Sequence, residues 1–315
     1  MRILSMSGFI PEHICDIERF VSYPGDHNIS HFCGYVSDFI SQVIKEKEID
    51  GAVFPRSCDS TRSISTYLQE LGKFSFQFEI PCSDVAGSDV FFANQLIEYK
   101  KKVETHFGNK ISEANIYERI DLINKRNEKL KRLYDNIDTL SFADYLNTIH
   151  DKLKKPLNEQ TIDSNGIKEI SKGEKIYIVG SFLSNIKIAY MMEDMGLNIV
   201  GDSLPESGRL VNQEIKIQKD LYKSIAKSVL DQKLSPTQNG FRRSLANDLE
   251  EIRKKEAKGV IFITQKYCEA YDYYYSVAKK TFEENGIKTT HMTVNGTNDS
   301  QKKALLTLEA FADTL

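Results

Sequence analysis

The sequence predicts an α/β protein built on parallel sheets, and three observations carry that expectation. Apolar strand-like runs alternate with one-faced helical patterns through most of the chain, which is the signature of βα units. One strand–cysteine–helix layout occurs twice, at Asp50 to Arg62 and again at Lys258 to Glu269. Third, 315 residues with 40% hydrophobic and 28% charged side chains is an ordinary globular composition, long enough for two domains.

Taken in order, the first clear element is a helix with Val36, Phe39, Ile40, Val43 and Ile44 on one face. A strand follows from Gly51 to Phe54, then a helix turning Ile64, Leu68 and Leu71 inward, then a strand near Phe74 to Ile80. From about Ser88 to Asn158 the pattern is helical and rich in Lys, Glu and Asn, a helical cover and connector. The second half opens with a buried strand, Lys175-Ile-Tyr-Ile-Val-Gly-Ser181, and a helix through Met192. A short strand, Asn198 to Val200, precedes helices expected at 213–230 and 240–258. The strand Gly259 to Thr264, a helix from Glu269 to Asn285, the strand Thr289 to Val294 and a terminal helix complete the half. Asn285-Gly286 is a helix stop. Pro156, Asn165, Gly166 and Gly173 break the pattern between the halves, so the expected domains are 1–160, with the connector, and 161–315.

Charge and hydropathy exclude several classes. The net charge of −3 gives no ground for a nucleic-acid partner. No apolar run approaches the roughly 18–20 residues of a membrane span. The opening Met1-Arg-Ile-Leu-Ser-Met-Ser-Gly8 lacks the apolar core of a signal peptide. The expectation is a cytoplasmic protein without a membrane partner.

Chemistry concentrates in five cysteines, at 15, 33, 58, 82 and 268. An odd, widely spaced set in a large chain is no disulfide framework. Cys58 and Cys268 each fall just past the carboxyl end of a strand, where open α/β sheets bind ligands. Cys33 heads another amphipathic helix. A helix start favours thiolate, and thiolates bind iron, so the three together read as an iron–sulfur site between the halves. Asp59, Ser60 and Thr61 could cap the helix after Cys58, and Asn28 or Ser30 the helix near Cys33. Ser57 and Ser60 flank Cys58 and are candidates to hydrogen-bond cluster sulfurs. Arg56, Arg62 and Lys266 either offset thiolate charge or sit on the surface, and His31 either approaches the cluster or lies in an exposed loop. Three ligands would leave one iron open; Cys82, also at a strand end, would close it as a fourth and make the cluster a relay. Zinc is disfavoured because no Cys-x-x-Cys knuckle occurs. There is no Walker A or Gly-x-Gly-x-x-Gly sequence, and Gly180-Ser181 reads as a tight turn before a phosphate site. Tyr271, Tyr273, Tyr274 and Tyr275 read as helix packing.

At these residues the chain resembles the iron–sulfur subunits of the 2-hydroxyacyl-CoA dehydratase and benzoyl-CoA reductase family. The matching segments are Phe32-Cys33-Gly34-Tyr35, Asp50-Gly-Ala-Val-Phe-Pro-Arg-Ser-Cys-Asp-Ser-Thr-Arg62 and Lys258-Gly-Val-Ile-Phe-Ile-Thr-Gln-Lys-Tyr-Cys-Glu269, with Pro11-Glu12 similar to an N-terminal motif. Weaker similarity runs through Gly180-Ser181, Gly201-Asp202 and Gly208-Arg209. The resemblance implies two Rossmann-like halves and a 4Fe–4S cluster held by Cys33, Cys58 and Cys268. It gives Cys15 and Cys82 no role. It implies a related partner subunit in a homo- or heterodimer, an ATP-dependent iron–sulfur activator as electron source, and an acyl-CoA-like substrate. The implied reaction is radical dehydration: one low-potential electron turns the thioester carbonyl into a ketyl, which expels the 2-hydroxyl. Glu12 is the candidate base. A reductase of the benzoyl-CoA type and a non-catalytic electron relay remain as alternatives. Where relatives often carry a cysteine after Gly-Asp-Asp, this chain reads Gly201-Asp-Ser-Leu-Pro-Glu-Ser-Gly208.

Overall fold

The computed structural model describes residues 1–6, 12–20, 32–81, 85–170, 173–183, 185–211, 214–231, 235–236, 241–294 and 298–315. Among the described residues eight strands form two sheets of four, and every pairing within them is parallel. The first sheet holds β1 (Ile3–Met6), β2 (Glu18–Phe20), β3 (Gly51–Pro55) and β4 (Phe74–Phe78) in the order β2-β1-β3-β4. The second holds β5 (Glu174–Gly180), β6 (Leu197–Asp202), β7 (Gly259–Gln265) and β8 (Lys288–Val294) in the order β6-β5-β7-β8. The two halves thus repeat one topology. In each, the chain leaves the first strand to one side and returns on the other, opening a crevice at the carboxyl ends of β1/β3 and of β5/β7.

The sequence pattern of each strand follows from its place. β3 and β7 are interior strands, buried at every residue, and so read as unbroken apolar runs. β4 lies at an edge and alternates, with Phe74, Phe76 and Phe78 inward and Ser75 and Gln77 half-buried. β1 and β2 run for four and three residues, too short to carry a periodic signal, and sequence reasoning did not foresee them.

Helices α1 (Gly34–Lys45), α2 (Asp59–Arg62) and α3 (Ile64–Glu70) flank the first sheet. The apolar stripe of α1 is narrower than its sequence suggests: Val36, Phe39, Ile40 and Val43 are buried, whereas Ile44 is partly exposed. Leu71 does not turn inward, because α3 ends at Glu70 and the chain reverses through Gly72 at φ +71°. The connector is helical as expected, in α4 (Ser88–Phe107), α5 (Glu113–Asp135) and α6 (Phe142–Leu153).

These helices lace the halves together. The 23-residue α5, about 35 Å long, buries Ile116, Ile120 and Ile123 in the core of the first sheet and Leu130 and Tyr134 in that of the second. In return, Ile215 and α8 (Leu221–Leu230) cross back to the first sheet's core, where α8 packs on α4. The second sheet is flanked by α6, α7 (Ile186–Asp194), α9 (Phe241–Lys254), α10 (Glu269–Glu284) and α11 (Asn298–Ala312). α8 starts eight residues later than its sequence pattern suggests, where the Asp220 side chain accepts the Lys223 N–H. Among the described residues, no helix is long and apolar enough to cross a membrane.

Candidate functional site

Three turns from distant parts of the sequence meet across the two halves. Cys58 follows β3 by three positions, and Cys268 follows β7 by three. Cys33 opens α1 as its N-cap. The Cys33 amide donates to Ser60 Oγ at 3.4 Å, tying it to the Cys58 turn. The next amide, Gly34, donates to the Lys266 carbonyl at 3.3 Å, tying it to the Cys268 turn.

Each turn has a local cause. Around Cys58 the working residue is Thr61, which is buried. Its hydroxyl accepts the amides of Ser57 at 3.2 Å and Cys58 at 3.3 Å, donates to the Cys58 carbonyl at 2.9 Å, and receives the Cys58 thiol at 3.7 Å. Asp59 and Ser60 therefore do not cap this helix; Cys58 occupies the N-cap. Cys268 is aimed by its predecessor, because Tyr267 adopts φ +66°, a left-handed conformation that costs a non-glycine residue on the order of 1 kcal/mol. The turn closes through the Cys268 amide on the Gln265 carbonyl at 3.0 Å. The Cys268 carbonyl then starts α10, accepting the amides of Tyr271 and Asp272.

The thiols perturb one another. Cys33 is held below the usual thiol range, first by a hydrogen bond from Cys268 and against its own burial, with help from the Val36 and Tyr35 amides and the Ser60 hydroxyl. Cys268, as the donor of that bond, is pushed up by it and by burial. Cys58 is raised by burial and by the negative charge on Cys33. One buried thiol, Cys33, is thus biased toward thiolate beside two half-buried thiols, Cys58 and Cys268, that its charge disfavours ionising. Among the described residues, no three His, Cys, Asp or Glu side chains are arranged around a single metal ion. A cubane places each thiolate on its own iron, so its ligands stand farther apart than those of one ion. Thiols are the donor type that iron–sulfur groups take.

The remaining candidates divide clearly. Ser60 touches the site through the Cys33 amide, and Ser57 is half-buried beside Cys58 with its own amide on Thr61. Arg56 pairs with Glu79, Arg62 with Asp59 at 3.7 Å on the surface, and the Lys266 ammonium sits 4.8 Å over the Tyr267 ring. Those three partners lie outside the thiol set. Glu12 lies in a buried ion cluster: Arg126 grips both carboxylate oxygens at 2.6 and 2.8 Å, and Arg19 adds a contact at 2.8 Å. Burial works to raise its pKa, but the two guanidinium charges prevail and hold it well below the carboxylate range. Cys15 is buried against Tyr99, 3.2 Å from its hydroxyl, with its thiol pushed up to about 11 by burial. Gly180 ends β5 and Ser181 continues the ladder to β7, its amide donating to the Ile263 carbonyl at 2.9 Å, so that amide is taken up by the sheet. Of the tyrosines, Tyr271 and Tyr274 are core residues, whereas Tyr273 is exposed. Pro11, Asn28, Ser30, His31 and Cys82 lie outside the described residues.

Sequence reasoning missed a polar layer behind the site. Asp202 is fully buried and accepts hydrogen bonds from the Leu204 and Gly208 amides and the Ser207 hydroxyl. Glu206 accepts the Leu183 amide at 2.6 Å, and Arg209 joins the Gly180 carbonyl to the Tyr271 hydroxyl. The sequence signals were the weak family similarity at Gly201-Asp202 and Gly208-Arg209 and a polar run directly after a strand, which by itself reads as an exposed loop.

Comparison with known proteins adds an independent line. The family model of the 2-hydroxyglutaryl-CoA dehydratase D-component matches residues 8–315. The "(R)-phenyllactyl-CoA dehydratase beta subunit" of Clostridium sporogenes is 22% identical over 144 residues, 46% of this chain and 38% of that protein. The aligned stretch thus spans under half of the curated relative's own length. Among solved structures, a mutant of the laminin-binding adhesin Lmb from Streptococcus agalactiae aligns over 100% of this chain and 98% of its own, at 11% identity. Its TM-score of 0.24 is too low to carry an argument.

Proposed function

Because the chain belongs to the 2-hydroxyglutaryl-CoA dehydratase D-component family, we propose that Cys33, Cys58 and Cys268 hold a 4Fe–4S cluster and that the chain is the iron–sulfur subunit of a 2-hydroxyacyl thioester dehydratase. The observation that supports this reading is the meeting of three cysteine turns from both halves, the Cys33 amide bonded to Ser60 beside Cys58 and the Gly34 amide to Lys266 beside Cys268. When bound, the cluster supplies a low-potential electron and, with three protein ligands, an open iron position for a substrate oxygen.

The chain's own groups have separable tasks. The Cys268 hydrogen bond and the amides at the start of α1 favour thiolate at Cys33. Thr61 fixes Cys58 through its own backbone, and the Tyr267 turn fixes Cys268. Ser60, bonded at Cys33, and Ser57, next to Cys58, are assigned to tuning the cluster's potential, a role supported for Ser60 by its contact with the Cys33 amide. Glu12 is assigned to anchoring: a carboxylate saturated by two guanidinium groups and held anionic is a poor proton acceptor near neutral pH.

The reading includes a related second subunit, a separate ATP-dependent iron–sulfur activator, an acyl-CoA substrate and an anaerobic cytoplasmic setting. The name "beta subunit" on the Clostridium relative supports the second subunit. The test is to reconstitute the chain anaerobically, reduce it, and add 2-hydroxyacyl-CoA esters while recording EPR. A substrate-dependent change in the cluster signal is expected from an open iron. A cluster signal indifferent to every ester, alone and with the partner subunit, overturns the catalytic assignment in favour of a relay.

A further inference from the structure

Besides the Gly34 amide on the Lys266 carbonyl, an aromatic contact crosses the boundary between the halves beside the thiols. The ring of Phe182, just past the end of β5, stacks on the ring of Tyr35 in α1, with centroids 3.6 Å apart and planes 3° from parallel. Tyr35 stands two positions after Cys33. Phe182 packs against the core of the first sheet although it belongs to the second.

Phe182 is braced on its own side. Its carbonyl accepts the Gln265 side-chain amide at 2.6 Å, and Gln265 stands three positions before Cys268. The residue before it, Ser181, bonds the Ile263 carbonyl of β7, and the residue after it, Leu183, donates to Glu206. Gly180 permits this approach, since a Cβ there would lie 2.1 Å from the Ile263 carbonyl oxygen. Gln265 is itself buried, so losing this bond would leave a polar group in the interior.

A continuous path therefore runs Cys33–Tyr35–Phe182–Gln265–Cys268 without passing through either thiol. We propose that Gln265, Phe182 and Tyr35 are positioning residues, a clasp that sets the separation of the Cys33 and Cys268 thiols across the two halves. Its use in gripping a cluster rests on the reading above. The clasp itself is a property of the apoprotein. The two rings cover each other's faces at van der Waals distance, and the Gln265 amide, bonded to the Phe182 carbonyl, fixes the depth at which Phe182 presents its ring.

The experiment reads the thiol pair directly. Apoprotein is treated with diamide, which takes up two electrons and two protons as Cys33 and Cys268 form a disulfide, and the linked peptides are quantified by mass spectrometry over time. Tyr35→Leu, Phe182→Leu and Gln265→Met are expected to slow cross-linking about two- to tenfold, the range spanned by one aromatic or hydrogen-bond contact. Tyr35→Phe, which keeps the stacking face, is expected to retain the parent rate, which a merely destabilising change would not do. Should the variants cross-link as fast as the parent while unfolding at the same denaturant midpoint, the clasp is overturned. Iron uptake is measured in parallel. Slowed cross-linking in a chain that takes up no iron supports the clasp and removes the cluster reading; unchanged cross-linking with full iron uptake does the reverse.

Discussion

Cys58 and Cys268 occupy equivalent places in the two halves: each stands three positions past the third strand of its sheet, Pro55 in one case and Gln265 in the other. The equivalence is topological, since both sheets run in the order second–first–third–fourth strand. Cys33 has no counterpart in the second half. It enters from the helix preceding β3 and is tied by its own and the next amide to the turns of the other two.

Cys15 serves as the internal control. Cys15→Ala should leave iron content unchanged while orphaning the fully buried Tyr99 hydroxyl, at a cost of about 1–3 kcal/mol. Chemical denaturation beside an iron assay checks both halves of the statement.

Glu12→Gln is expected to act on stability. Removing one charge from a buried cluster with Arg19 and Arg126 should cost about 3 kcal/mol or more near neutral pH. The folded carboxyl lies below its unfolded value near 4.5, so its contribution is fully present above that pH and fades as pH falls below it. The parent should lose stability on acidification below about pH 4.5 more steeply than the variant. Denaturant midpoints between pH 3 and 7 test this; parallel curves would contradict it.

Glu206 carries the opposite sign. Burial pushes its carboxyl from 4.5 up to about 8, so the folded state holds a proton that the unfolded state releases. Stability should be highest below pH 4.5, fall as pH rises toward 8, and level off above. Glu206→Gln removes that slope and should stabilise the chain at pH 9 relative to the parent, by on the order of a few kcal/mol. Unfolding curves at pH 6 and 9 decide the matter.

Gly180→Ala tests the close approach of β5 to β7. The added Cβ meets the Ile263 carbonyl, so the strand end must shift, costing about 1–3 kcal/mol. Because Phe182 follows two positions later, a lower melting temperature should be accompanied by reduced iron retention.

How far the sequence carries the account depends on the range of the forces involved. β3, β7 and the cysteines after them were legible because burial on both faces leaves an unbroken apolar run with a sharp end. β1 and β2 were not, because their pairing partners, not their own few residues, make them strands. Asp202, Glu206 and Arg209 look like loop residues locally; only hydrogen bonds to Gly180, Leu183 and Tyr271 explain their burial. The exchange of helices between the halves, with Leu130 on one core and Ile225 on the other, leaves no local mark at all. Glu12 was legible as a motif residue, but the surrounding charges that set its chemistry come from Arg19 and Arg126, the second more than a hundred positions away.

The most direct measurement is iron and acid-labile sulfide per chain after anaerobic reconstitution, for the parent and for Cys33→Ala, Cys58→Ala and Cys268→Ala. The account predicts about four irons and four sulfides in the parent, and loss of most of both in each variant. A parent that binds no iron, or three variants that bind as much as the parent, would contradict it.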